Sequence, residues 1–161
     1  MKKIFASVFL ILFMIPLLSG QTEALVKKRY KASRVTDPPV IDGILNEALW
    51  NSGEWIDDFT QFEPYNGKPA SQRTEFNILF DDDNLYVGIK AFDTSPDSII
   101  NRLTRRDEVD GDLVAIIVDS FHDLRTAFTF GVSSAGVKYD FMLTNDGANE
   151  DESWNPNWWV K

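Results

Sequence analysis

Apolar residues in this chain recur at every second position in short runs that end at turns, a pattern that a β-sheet buries and a helix does not. Within residues 74–80, Phe76, Ile78 and Phe80 alternate with polar neighbours. The turn Asp81-Asp82-Asp83-Asn84 reverses the chain into residues 85–92, where Leu85, Val87, Ile89 and Ala91 keep the same period. The pattern returns in 112–119 (Val114, Ile116, Val118), in 126–132 (Phe128, Phe130, Val132) and in 137–143. Turns at 121–124 and 133–136 separate these runs, and shorter candidate strands lie at 30–35 and 55–62. One apolar face per strand fits a sheet packed on one side. About seven strands at spacings of roughly 8–12 residues predict an all-β, antiparallel β-sandwich.

Helical signals are few. Residues 46–50 read as one helical turn capped by Asn46. Ser95-Pro96 opens either a short helix through Arg105 or another strand, because Ile99 and Ile100 are β-branched. Residues 145–161 are polar, acidic and Trp-rich, and Trp158-Trp159-Val160-Lys161 has the look of a strand beginning. A strand left there would expose an unpaired edge, so the expectation is a chain truncated at its C-terminus, a fragment of a longer protein.

The start carries an export signal. Lys2 and Lys3 precede an apolar run from residue 4 to 18, followed by small and polar residues up to Ala24. The run is shorter than the roughly 20 residues that span a bilayer, and Pro16 lies near its end. The expected organisation is a signal peptide at 1–24 and one sandwich domain at 25–161, with no membrane span in the mature chain. Expected locations are the bacterial periplasm, the outer envelope or the extracellular space. No cysteine is present, so neither disulfides nor a lipid-modified cysteine enter. The chain has 16 basic and 25 acidic residues; losing Lys2, Lys3 and Glu23 with the leader leaves 14 and 24, a charge of −10. Such a chain repels phosphate backbones, which excludes nucleic acid as a partner.

Catalytic chemistry is poorly supplied. The sole histidine, His122, lies in a turn with no triad motif around it, and there is no glycine-rich phosphate loop. Two acidic loops have carboxylates around a glycine, and Asp107, Asp110, Asp112 and Asp146 are the candidate ligands for a structural calcium, which takes six to eight oxygens. Ordinary solvated loops are the competing reading.

The aromatics are more telling. Trp50 follows an apolar turn and reads as core, whereas Trp154 and Trp158 lie among Asn, Pro and Asp. An indole face packs on the C–H face of a pyranose while polar neighbours take its hydroxyls, so Trp154 and Trp158 are candidate sugar-binding residues. Adjacent residues of an extended chain point to opposite sides, so one of Trp158 and Trp159 is expected inside and the other outside. Arg73, Arg106 and Asn145 complete the candidate ligand set, the arginines serving either as ion pairs or as bidentate donors to hydroxyls.

Several phrases together resemble a family 9 carbohydrate-binding module: Val40-Ile41-Asp42-Gly43-x-x-Asn46-Glu47-Ala48-x-Trp50, Arg73-Thr74-Glu75, and Phe80-Asp81-Asp82-Asp83-x-Leu85-Tyr86-Val87-Gly88. Arg105-Arg106-Asp107, Asp119-x-Phe121-His122-Asp123-x-Arg125-Thr126-Ala127 and Asn145-Asp146-Gly147 are similar to bacterial envelope proteins that carry such a module ahead of a large C-terminal domain of undefined function. The resemblance runs from about Val35 to Lys161. It implies a jelly-roll-like sandwich that binds polysaccharide or oligosaccharide, often with calcium in its loops and often beside O-glycosyl hydrolase activity and polysaccharide catabolism. The sequence reading is therefore a non-catalytic, exported binding module with the rest of the same protein as its other partner. Two alternatives stand beside it: a structural or interaction domain without a sugar site, and a haem-binding sandwich using His122 and Met142.

Overall fold

The computed structural model describes residues 27–161. The proposed signal peptide at 1–24 lies outside the described residues. The fold is an all-β sandwich of two sheets. One has the order β1-β2-β3, with β1 at Ser33–Arg34, β2 at Thr74–Phe80 and β3 at Leu85–Ala91. The other has the order β4-β5-β6-β7, with β4 at Leu113–Val118, β5 at Ala127–Ser133, β6 at Lys138–Thr144 and β7 at Asn149–Asp151. All neighbours are antiparallel except β1, which runs parallel to β2.

The β2–β3 hairpin is built where the alternation places it, with Ile78 opposite Val87 and Phe80 opposite Leu85. Its turn is organised by Asp81. One carboxylate oxygen accepts the backbone N–H groups of Asp83 (2.8 Å) and Asn84 (2.7 Å), and the other accepts the Tyr86 hydroxyl at 2.6 Å.

The first sheet is covered on both faces, not one as the pattern implies. The most buried residues of β2 are Asn77 and Leu79, which point away from the Phe76/Ile78/Phe80 face. A 3-10 turn at Ala48–Asn51 lays Trp50 on that side, where it packs with Val35, Leu79 and Tyr86. Gly88 leaves the room for it: a Cβ there would stand 2.9 Å from the indole. Asn77 donates to the Trp50 carbonyl (2.8 Å) and accepts from the Tyr30 hydroxyl (3.0 Å), so its buried amide is satisfied.

Three local expectations are corrected. The turn at 48–51 is preceded by Glu47 rather than capped by Asn46; the Glu47 carboxylate instead accepts Val40 N–H and Trp50 Nε1–H, both at 3.0 Å. Residues 55–62 form isolated bridges, Ile56 with Phe76 and Thr60 with Pro69, because a tight turn at Asp57–Phe59 interrupts the ladder. The region after Ser95 is a single 3-10 turn, Pro96–Ser98, after which Ile99 is extended, as its branched Cβ favours. Residues 152–161 belong to no strand.

Candidate functional site

The two sheets bound a cavity of about 580 Å³. Leu85, Val87 and Ile89 of β3, with Tyr86 and Trp50, line it from the first sheet, and Val114, Ile116 and Val118 of β4 line it from the second. Phe128 and Phe130 of β5 continue the second wall, in register with Val118 and Ile116. Polar groups reach the cavity from Asp83, Asn84, Ser120 and Asn157.

Trp154 and Trp158 both line this space. The Trp154 ring lies 4.8 Å from Phe128 and 5.4 Å from Phe130. The Trp158 ring meets Phe130 edge-on at 5.5 Å. The result is an aromatic wall of four rings, an arrangement in which tilted and edge-on pairs add to area burial. Trp158 is half-buried and Trp159 is 74% exposed, although both border the cavity.

Arg106 joins this group through a residue the sequence reading missed. Asp140 of β6 is 1% exposed, and its Oδ1 accepts Trp158 Nε1–H at 3.0 Å and the Arg106 guanidinium. Asp140 pairs directly with Phe130 in the ladder and so shares its face. The available signal was a lone aspartate in an otherwise apolar run, Tyr139-Asp140-Phe141-Met142.

Arg73 and Asn145 are not among the residues lining the cavity. Arg73 pairs with Asp57 (3.2 Å) and Glu75 on the other sheet and lies over the Phe92 ring. Asn145 sits at positive φ in the turn between β6 and β7.

The four aspartates offered for calcium are each engaged separately. Asp107 accepts Asp140 N–H at 3.0 Å and covers the edge of β6, where its own N–H also bonds the Lys138 carbonyl. Asp110 pairs with Arg102 at 2.7 Å, Asp112 accepts Ile100 N–H at 2.7 Å, and Asp146 pairs with Arg125 at 3.0 Å. Among the described residues no group of three or more His, Cys, Asp or Glu is placed to hold a metal ion. The donor set among the described residues does not fit a calcium site. His122 is an exposed turn residue at positive φ. No helix among the described residues is long and apolar enough to cross a membrane.

Two short-stranded sheets with an aromatic-walled cavity between them make up a β-sandwich. Residues 41–157 match the family described as carbohydrate family 9 binding domain-like, and the chain belongs to that family. No curated protein and no solved structure matches it.

Proposed function

We propose that the chain is a non-catalytic, exported carbohydrate-binding module that holds sugar against Trp154 and Trp158 in the cavity between its sheets. The observation that carries this reading is the meeting of two indoles on one cavity wall in a member of this family. Asp83, Asn84 and Asn157 border the same space with groups that bond hydroxyls. The leader at 1–24 directs export to the periplasm, outer envelope or exterior of a bacterium. The module serves as the N-terminal part of a larger envelope protein concerned with polysaccharide breakdown, and its C-terminal domain is a second partner.

The test is affinity electrophoresis through gels containing xylan, mixed-linkage β-glucan or hydroxyethyl cellulose. Trp154→Ala removes one stacking face, worth about 0.5–1.5 kcal/mol, and is expected to weaken binding about two- to tenfold. Wild-type protein retarded by no polysaccharide refutes the reading; undiminished binding in both Trp154→Ala and Trp158→Ala moves the site elsewhere. A second reading, an interaction domain without a sugar site, draws on the aliphatic side of the cavity and on β4. This edge strand lacks charge and exposes Leu113 (44%) and Ile117 (61%).

A further inference from the structure

A buried carboxylate on an apolar sheet face needs a reason. Asp140 stands opposite Phe130, where a leucine would pack without desolvating a charge, and burying an ion costs several kcal/mol unless its oxygens are matched. The match is incomplete: Oδ1 takes two donors, while Oδ2 has no hydrogen-bond partner among the described residues. An apolar side chain would serve packing at this position at least as well. What it does do is grip one atom of the aromatic wall, Trp158 Nε1.

The surroundings of the ring bear on its orientation. Trp158 meets Phe130 edge-on at 75°, a contact that by itself names no partner for the indole nitrogen. Lys138, two residues before Asp140 and on the same face, lies 5.0 Å from the ring centroid and also donates to the Trp158 carbonyl at 2.5 Å. Lys138 thus holds the backbone and one face of the ring, and Asp140 holds its nitrogen. Arg106 bonds Asp140 Oδ1 and lies 3.6 Å from Asp107 Oδ2. Asp107 in turn accepts Asp140 N–H, so the carboxylate is itself oriented from two sides.

We infer that Asp140 is a positioning residue: through Oδ1 it sets the orientation of the Trp158 ring, and through that ring it sets sugar affinity. Arg106 acts one step further back, by holding Asp140. The affinity part rests on the sugar-binding reading above; the orientation part does not.

The experiment uses the full chain, labelled with ¹⁵N, and two variants. Asp140→Asn keeps an oxygen in the place of Oδ1, and Asp140→Leu removes it. The indole N–H resonance of Trp158, identified by its loss in Trp158→Phe, is expected to move in Asp140→Leu and to stay near the wild-type position in Asp140→Asn. In the affinity gels, Asp140→Leu is expected to weaken binding about tenfold, the weight of one charge-assisted hydrogen bond, and Asp140→Asn to retain most of it. Adding Asp140→Leu to Trp158→Phe is expected to produce no further loss, because the two changes act through one ring.

An unmoved indole resonance in a folded Asp140→Leu overturns the orientation claim. Additive losses in the double variant overturn the claim that Asp140 acts through Trp158. Where Asp140→Leu does not fold, Arg106→Gln carries the test: with its guanidinium gone the Asp140 carboxylate loses one hold, and the indole resonance is expected to move, by less than in Asp140→Leu. A wild type that binds no polysaccharide overturns the affinity part together with the sugar-binding reading, and the resonance decides the orientation part regardless.

Discussion

Gly88→Ala adds one methyl group at the closest approach between β3 and Trp50. The new Cβ would stand 2.9, 3.1 and 3.2 Å from three indole carbons. Contacts below 3.0 Å require movement, and Trp50 has little to give. It is 4% exposed, packed on Leu79 and Tyr86, and tied by Nε1–H to Glu47 at 3.0 Å. Overpacking of this kind costs about 1–3 kcal/mol. Taking about 2 kcal/mol, and about 4 °C per kcal/mol for a domain of this size, the melting midpoint falls by about 8 °C. The displacement also travels. Glu47 accepts Val40 N–H with its other oxygen, and Val40 and Ile41 line the cavity. Gly88→Ala is therefore expected to lower sugar affinity as well as stability. Urea unfolding of the wild type, Gly88→Ala, Trp50→Phe and the double variant measures the coupling. The smaller phenyl ring of Trp50→Phe should accept the methyl, so the double variant should be more stable than the sum of the single losses implies. A Gly88→Ala loss below about 0.5 kcal/mol, or strict additivity with Trp50→Phe, refutes the reasoning.

Acid stability should depend on two turn carboxylates. Asp123 accepts Arg125 and Thr126 N–H groups at 2.8 and 2.7 Å, and Asp81 accepts the Tyr86 hydroxyl and the Asp83 and Asn84 amides. These bonds hold both carboxyls below the ordinary carboxylate range, with the Arg125 amide the largest influence on Asp123 and the Tyr86 hydroxyl on Asp81. The folded state then binds fewer protons than the unfolded chain, so their contribution is present above about pH 4 and is lost as pH falls through the depressed values. Melting curves between about pH 2 and 6 should fall less steeply on the acid side in Asp81→Asn with Asp123→Asn; an unchanged acid slope contradicts this. Ile117→Lys places a charge on the exposed side of β4 and should reduce concentration-dependent association in light scattering, with stability changed by no more than about 0.5 kcal/mol. Equal or greater association in the variant would show that the β4 edge is not the sticky surface.

The strands that alternate cleanly were legible in the sequence. β2 to β6 fall within a residue or two of their expected bounds, since each has a single apolar period and a turn at both ends. The face assignment of the first sheet was not legible, because the element that buries Asn77 and Leu79 is a turn about 27 residues earlier, and the Tyr30 and Trp50 groups that satisfy Asn77 come from outside any strand. Trp154 and Trp158 stood out by composition, and they do share a wall. Arg106 is legible by its charge, whereas its partner Asp140 is not, because an aspartate in a strand reads as solvent-facing until the indole that needs its oxygen is in place. Arg73 and Asp146 resemble ligands in sequence, and in the structure each has an ion-pair partner close by.

The segment bearing both indoles, residues 152–161, has no place in either backbone ladder; it is held by the side chains of Phe128, Phe130, Lys138 and Asp140. Elements attached in this way open at a lower free energy than the sheets beneath them, and without unfolding them. Ordering the wall and filling the cavity are then one coupled equilibrium. A ligand that touches Trp154 and Trp158 stabilises the segment that carries them, and amide exchange along 152–161 becomes a record of occupancy.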